Sequence, residues 1–199
     1  MIGIIDYGAG NLRSVKKAFD FLDSPSKILR FPDKLSGIER LVLPGVGSFG
    51  HAADRLDQLG WAQPLSEWIA TDRPFLGICL GLQLLFQCSR ESPESAGLAV
   101  FPGYCRLFSA RKVPHMGWNT VHATQDTPLF AGIKRGAFFY FVHSFFVSSC
   151  PQNYIRAISS YNGEFISAAG RGRIYGVQFH PEKSGEQGLR LLQNWVERC

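Results

Sequence analysis

Apolar residues along this chain follow two patterns in turn. The first half sets short continuous apolar runs between stripes at helical spacing. Ile2-Gly3-Ile4-Ile5 ends at Asp6 and predicts a buried strand. Leu12, Val15, Ala18, Phe19 and Leu22 then recur at the period of a helix. Ile28-Leu29 predicts a second strand, and Leu41-Val42-Leu43 a third that is stopped by Pro44-Gly45-Val46-Gly47. Helical stretches follow at Ala52 to Leu59 and Leu65 to Ala70. Phe75 to Ile78 predicts a fourth strand, leading through Cys79 into a helix that carries Leu82-Gln83-Leu84-Leu85-Phe86. Strands alternating with helices predict a parallel sheet covered by helices.

The second half changes character. From Leu98 to Ser160 aromatic and β-branched residues dominate, interrupted by Gly, Pro and Asn. Phe138 to Val142 and Tyr154 to Ile158 predict strands. Ile174 to Phe179 predicts another, ending at His180-Pro181-Glu182, and Gly188 to Val196 predicts a closing helix. With no internal repeat, low-complexity tract or linker, the fold class is α/β. The expectation is one domain over residues 1–199, with a central, mostly parallel sheet flanked by helices and an additional antiparallel β segment.

Composition narrows the possibilities without deciding among them. A chain of 199 residues with 45% hydrophobic content can bury a sizeable core. No apolar run is long enough to span a membrane. Met1 to Gly10 lacks a basic start, and Asp6 interrupts its apolar stretch, so a signal peptide is not expected. The net charge is +5. Arg106, Arg111, Lys112, Arg171 and Arg173 form loose clusters rather than a stripe, which fits a mildly basic surface better than a nucleic-acid interface. Cys79, Cys88, Cys105, Cys150 and Cys199 are scattered and contain no Cys-x-x-Cys pair, so neither a disulfide framework nor a metal site is suggested. A reducing, cytoplasmic compartment suits them.

The chemistry centres on Gly77-Ile78-Cys79-Leu80-Gly81. A strand, a sharp turn and a helix place the cysteine at the apex, where flanking glycines leave the thiol uncrowded and the helix N-terminus favours thiolate. This is the pattern of a nucleophile elbow, with sulfur in place of a serine oxygen. A cysteine nucleophile needs a histidine, and the histidine an orienting group. Among His51, His115, His122, His143 and His180, the last stands out because Glu182 lies two residues on. In an extended segment the two side chains share a side. His143, at a strand end, reads as structural. Pro44-Gly45-Val46-Gly47 follows another strand, and its backbone N–H groups, with that of Leu80, suit an oxyanion hole. Taken singly, each has a plainer reading: a core cysteine, a surface turn, a loop. Their common position after predicted strands favours chemistry. Gly8-x-Gly10 lacks the third glycine of a dinucleotide site, since Arg13 occupies that place.

Gly-Ile-Cys-Leu-Gly with a distant His-Pro-Glu resembles the class I (triad) glutamine amidotransferases, a flavodoxin-like α/β family. Asp6-Tyr7-Gly8-Ala9-Gly10-Asn11, Pro44-Gly45-Val46-Gly47, Pro114-His115-Met116-Gly117-Trp118-Asn119, Tyr140-Phe141-Val142-His143-Ser144 and His180-Pro181-Glu182-Lys183-Ser184 resemble the HisH family, the glutaminase subunits of imidazole glycerol phosphate synthase. The resemblance implies hydrolysis of L-glutamine through a Cys79 thioester. In it His180 acts as acid and then base, Glu182 holds the imidazole, and Val46, Gly47 and Leu80 form the oxyanion hole. Gly45, Gln83, Glu91, Ser144 and Phe145 would contact substrate. The family often carries tyrosine at the position of Phe145, which leaves a backbone contact there.

No metal or cofactor is implied. The implied partner is a HisF-type cyclase, a (β/α)8 barrel joined as a heterodimer through Asn11, Met116, Trp118 and Lys183. It would use the ammonia to make imidazole glycerol phosphate and AICAR in histidine biosynthesis. Pro114 to Gly117 suggests a loop, on which an exposed Trp118 would need a partner surface. Three alternatives stay open at this stage: a glutaminase of the same fold feeding another synthase, a non-catalytic module on that fold, and a free-standing cysteine hydrolase.

Overall fold

The computed structural model describes residues 1–110 and 112–199, so Arg111 of the basic clusters lies outside the described residues. Its first half alternates as the sequence pattern predicts: β1 (Ile2–Ile5), α1 (Leu12–Phe21), β2 (Ser26–Leu29), β3 (Arg40–Gly45), α2 (Phe49–Gln58), α3 (Ala62–Ala70), β4 (Phe75–Cys79) and α4 (Leu80–Leu84). There follow β5 (Phe86–Ser89), β6 (Ser92–Ala96), β7 (Phe101–Leu107), β8 (His115–Ala123), β9 (Ala137–His143), β10 (Phe145–Val147), β11 (Ile155–Ser160), β12 (Glu164–Arg171) and β13 (Ile174–Val177), with α5 (Gly185–Arg198) last.

The strands lie in the order β2-β1-β3-β4-β13-β12-β10-β7-β5-β6. From β2 to β13 every pairing is parallel. Beyond β13 the neighbours β12, β10 and β7 are antiparallel, and β11, β8 and β9 continue that antiparallel region from β12.

Alternation along the parallel strands builds two cores. Ile2, Ile4, Val42, Leu76 and Ile78 face α1 and α5, packing with Val15, Phe19, Leu191 and Trp195. Ile5, Leu29, Leu41, Leu43 and Phe75 face α2 and α3, packing with Leu56, Leu65 and Trp68. Burial on both faces explains why these strands read as continuous apolar runs. Among the described residues no helix is long and apolar enough to cross a membrane.

Three local expectations change. β3 is not stopped by Pro44 but runs through Gly45, which pairs with Cys79. The Leu41 N–H bonds the Pro74 carbonyl on the β4 side. Alternation then turns the Pro44 nitrogen toward β1, whose pairing has already ended at Val42, so no ladder bond is lost. The helix after Cys79 is a single short segment, because Phe86 already belongs to β5. The segment carrying Met116 and Trp118 is strand β8 rather than a loop, in register with β9 from His115↔His143 to Val121↔Ala137.

Contact between β3 and α4 leaves no room for a side chain at Gly81, where a Cβ would lie 1.9 Å from the Leu43 carbonyl oxygen. Both groups are backbone in packed elements. Gly81→Ala is therefore expected to cost about 3 kcal/mol, the upper end of overpacking penalties, read as a lower urea midpoint. An unchanged midpoint would contradict this packing.

Candidate active site

Cys79 is the last residue of β4 and the cap of α4, with φ 57° and ψ −106°. A positive φ at a non-glycine residue costs about 1–3 kcal/mol and persists only where surroundings enforce it. Here the enforcement is visible. A Cβ on Gly77 would lie 2.5 Å from the Gly81 carbonyl oxygen, and one on Gly176 of β13 would lie 2.6 Å from Leu82 Cδ1. The turn thus presses against its own helix and against the neighbouring strand. Cys79 is 5% exposed, and its Sγ lies 3.7 Å from Gln178 Nε2 and 4.0 Å from the Val142 carbonyl oxygen. Because α4 spans only Leu80–Leu84, the helix dipole offers less to the sulfur than the sequence pattern suggests.

The main electrostatic partner is His180. Its backbone is pinned by an N–H bond to the Tyr140 carbonyl of β9 at 2.9 Å. Its own carbonyl accepts the Ser184 hydroxyl at 2.6 Å. The ring donates through Nδ1 to Glu182 Oε1 at 2.8 Å, and the two side chains are only 3% and 1% exposed. The geometry that brings them together is not an extended strand: Pro181–Lys183 forms a 3-10 turn that folds Glu182 back beneath the ring. The other nitrogen, Nε2, is buried without a bonded partner among the described residues. Burial alone pushes the His180 imidazole down. The charge of Cys79 first, and then Glu182, overcome burial and raise it to about 10. Burial outweighs the bond to the Phe145 carbonyl and, with the charges of His115 and His180, holds His143 down at about 3; burial alone holds His115 at about 4. His180 is therefore the histidine suited to carry a proton beside the thiol.

A cavity of about 270 Å³ opens above the sulfur. Val46, Gly47 and Leu80 line it, as do Gln83, Glu91, Ser144 and Phe145. Gly45 does not line it; a Cβ there would strike the Tyr7 hydroxyl at 2.4 Å, so this glycine serves close packing. Gly47 has φ +103° and nothing within 4 Å of its missing Cβ, so open space adjoins this glycine. Glu91 also accepts the Phe49 N–H at 2.7 Å, tying the cavity wall to the start of α2. The Phe145 carbonyl is already committed, accepting Gln83 Nε2 at 2.9 Å and His143 Nδ1 at 2.8 Å. A larger hollow of about 860 Å³ lies between Val121 and Arg135, apart from Cys79 and His180.

The expected interface residues are on the surface but not all in one role. Met116, Trp118 and Phe138 are 60%, 57% and 58% exposed on the outer face of the β8–β9 pair. The Trp118 and Tyr140 rings meet edge-on at 6.1 Å, and Lys183 Nζ lies 5.8 Å from the Tyr140 centroid. Asn11 caps α1 through a bond from the Ser14 N–H at 3.4 Å. Sequence reasoning missed Gln178, Phe138 and the pairing of His115 with His143, whose rings are bonded at 3.1 Å. Gln178 did leave a signal: it is the amide within the apolar run from Ile174 to Phe179.

The family model for glutamine amidotransferase class-I matches residues 3–199. The chain belongs to the class-I glutamine amidotransferase family. It is 48% identical to a protein of Desulfitobacterium hafniense named imidazole glycerol phosphate synthase subunit HisH, covering 98% of this chain and 95% of that protein. It is 45% identical to one of the same name from Methanocaldococcus jannaschii, covering 99% of both. In fold it is similar to the structure of PurLQS from Thermotoga maritima, with TM-score 0.80, 18% identity, and coverage of 98% of this chain and 96% of that one.

Since the His180 pKa in the fold lies above its ordinary 6.5, the stability it contributes is complete below about 6.5. That stability is lost as pH rises through about 10. Cys79→Ala removes the groups that raise it most, so His180 in this variant should deprotonate at clearly lower pH by NMR titration. An unchanged titration would show that the sulfur and the ring do not interact.

Proposed function

We propose that this chain is the glutaminase subunit of an imidazole glycerol phosphate synthase, acting in the cytoplasm as one amidotransferase domain over residues 1–199. The observation that carries the reading is Cys79 lining a cavity of about 270 Å³, with the buried His180–Glu182 pair as its electrostatic partner. The 48% identity to a HisH subunit supports it.

Glutamine enters with its side-chain amide over Cys79. Both Gln83 Nε2 donor positions are already used, on Phe145 and Gln178, so Gln83 offers its carbonyl oxygen. With the Glu91 carboxylate it makes an acceptor pair suited to the substrate's ammonium group. The Cys79 thiolate attacks the amide carbon. The Leu80 N–H and the N–H groups of Val46 and Gly47 receive the oxyanion, each donor contributing about 3 kcal/mol. His180 Nε2–H protonates the departing nitrogen, and ammonia leaves behind a thioester.

Acylation then changes the histidine. The thioester carries no charge, so the largest support for the His180 proton is gone. The neutral imidazole now takes a proton from water, whose oxygen attacks the thioester carbon. Glutamate is released, and thiolate and imidazolium are restored. One group thereby serves as acid and then base, with Glu182 holding the ring through both steps.

Ammonia needs a dry exit. The apolar face of Met116, Trp118 and Phe138 lies on β8 and β9. Val142, the register partner of Met116, presents its carbonyl 4.0 Å from the sulfur. An apolar face this close to the nucleophile suits docking of a HisF-type (β/α)8-barrel cyclase as a heterodimer, joined through Asn11, Met116, Trp118 and Lys183. The cyclase uses the ammonia to form imidazole glycerol phosphate and AICAR. Turning of the Gly47 loop when the partner binds its ligand links hydrolysis to synthesis.

Reconstituted with such a cyclase, Cys79→Ala should lose glutamine-dependent synthesis and keep ammonia-dependent synthesis. Loss of both would contradict the site or the channelling. Full glutamate release by the isolated chain would identify a free-standing hydrolase instead.

A further inference from the structure

Gln178 follows the last residue of β13, where Val177 pairs with Ile78 in parallel register, so it stands beside Cys79. Its backbone N–H is fixed to the Ser167 carbonyl of β12 at 2.9 Å. Its side chain is fully buried. An amide in such a place must have partners for both ends, and here each end has one. Oε1 accepts Gln83 Nε2 at 3.1 Å, and Nε2 faces Cys79 Sγ at 3.7 Å.

The orientation of this amide is forced rather than chosen. The Phe145 carbonyl can only accept, so Gln83 must present its Nε2 to it. The same Nε2 faces Gln178, which must therefore present oxygen. That leaves the Gln178 Nε2 to point at sulfur. The Phe145 carbonyl also fixes the histidine pair. His143 must hold its proton on Nδ1, so its Nε2 accepts from His115 Nδ1 at 3.1 Å. His115 Nε2 in turn accepts from Asn119 Nδ2 at 3.2 Å. Every bond in the chain has a single allowed direction.

We propose that Gln178 is a positioning residue for the nucleophile, donating a side-chain N–H to Cys79 Sγ in an orientation dictated by Gln83 and the Phe145 carbonyl. A thiol is a weak acceptor and a thiolate a strong one. The donor therefore favours the attacking form of the sulfur and restrains its rotamer. This rests on Cys79 being the nucleophile of the reaction proposed above, while its test reads the sulfur directly. The titrating groups around Cys79 are His180, backed by Glu182, the Glu91 carboxylate on the shared cavity wall, and the buried Tyr7 phenol, with neutral His143 at the end of β9. Gln178 is uncharged, so removing it leaves those groups in place.

The experiment is the pH profile of Cys79 alkylation by iodoacetamide in the intact chain, read by peptide mass spectrometry. It needs neither glutamine nor partner. Gln178→Met removes the donor, and its profile should move upward by about one pH unit, a tenfold change in ionisation. Gln178→Glu faces the sulfur with negative charge and should move it further. In the reconstituted complex, kcat for glutamine should fall about tenfold with KM nearly unchanged. Wild-type alkylation profiles in both variants would overturn the proposal and leave Gln178 a packing residue, whatever happened to turnover. If the variants do not fold, the unsubstituted protein still decides. The Gln178 side-chain NH2 resonances should titrate with the sulfur, and their failure to do so would overturn the proposal equally.

Discussion

The backbone turn at Cys79 is the constraint on which the remaining structure depends. Its φ of 57° is unfavourable for any residue with a side chain, and the surrounding chain has no alternative to offer. Gly77 and Gly81 touch each other, Gly81 touches β3, and Gly176 touches α4. Three strands and a helix are thus packed to backbone distance around one sulfur. The strain at the turn is borne by the two cores on either side of the parallel sheet.

From that turn the electrostatics follow. A buried imidazole ordinarily loses its proton, as His115 and His143 do. His180 keeps its proton because sulfur and carboxylate lie on either side of the ring. In the proposed reaction the arrangement is self-limiting, since one of those two charges disappears on acylation. A static site thereby supplies opposite proton affinities at successive steps without any movement of the histidine. The exposed apolar β8–β9 face lies close to the nucleophile, because Val142, the register partner of Met116, presents its carbonyl 4.0 Å from the sulfur.

Much of this was legible in the sequence. The parallel strands announced themselves as apolar runs because both of their faces are buried. Gly-x-Cys-x-Gly and His-Pro-Glu were readable because their chemistry demands small residues and a nearby carboxylate. Other features depended on packing between distant segments. Nothing local shows that Pro44 may sit inside a strand, since that depends on where β1 stops. The reach of Glu182 to His180 was expected for a reason the fold does not use, an extended segment instead of a 3-10 turn. Gln178 became visible as a site residue only when β13 was laid beside β4. Trp118 read as a loop residue because Pro114 to Gly117 precede it, whereas pairing with Tyr140 makes it part of a strand.

The central claim is that one sulfur among five cysteines carries the acyl group. Acid quenching of the reconstituted complex during glutamine turnover, followed by peptide mass spectrometry, tests it most directly. The account predicts a γ-glutamyl adduct on the peptide containing Cys79. Continued turnover with the adduct on Cys88, Cys105, Cys150 or Cys199, or with no adduct on any cysteine while His180→Ala retains full activity, would contradict it.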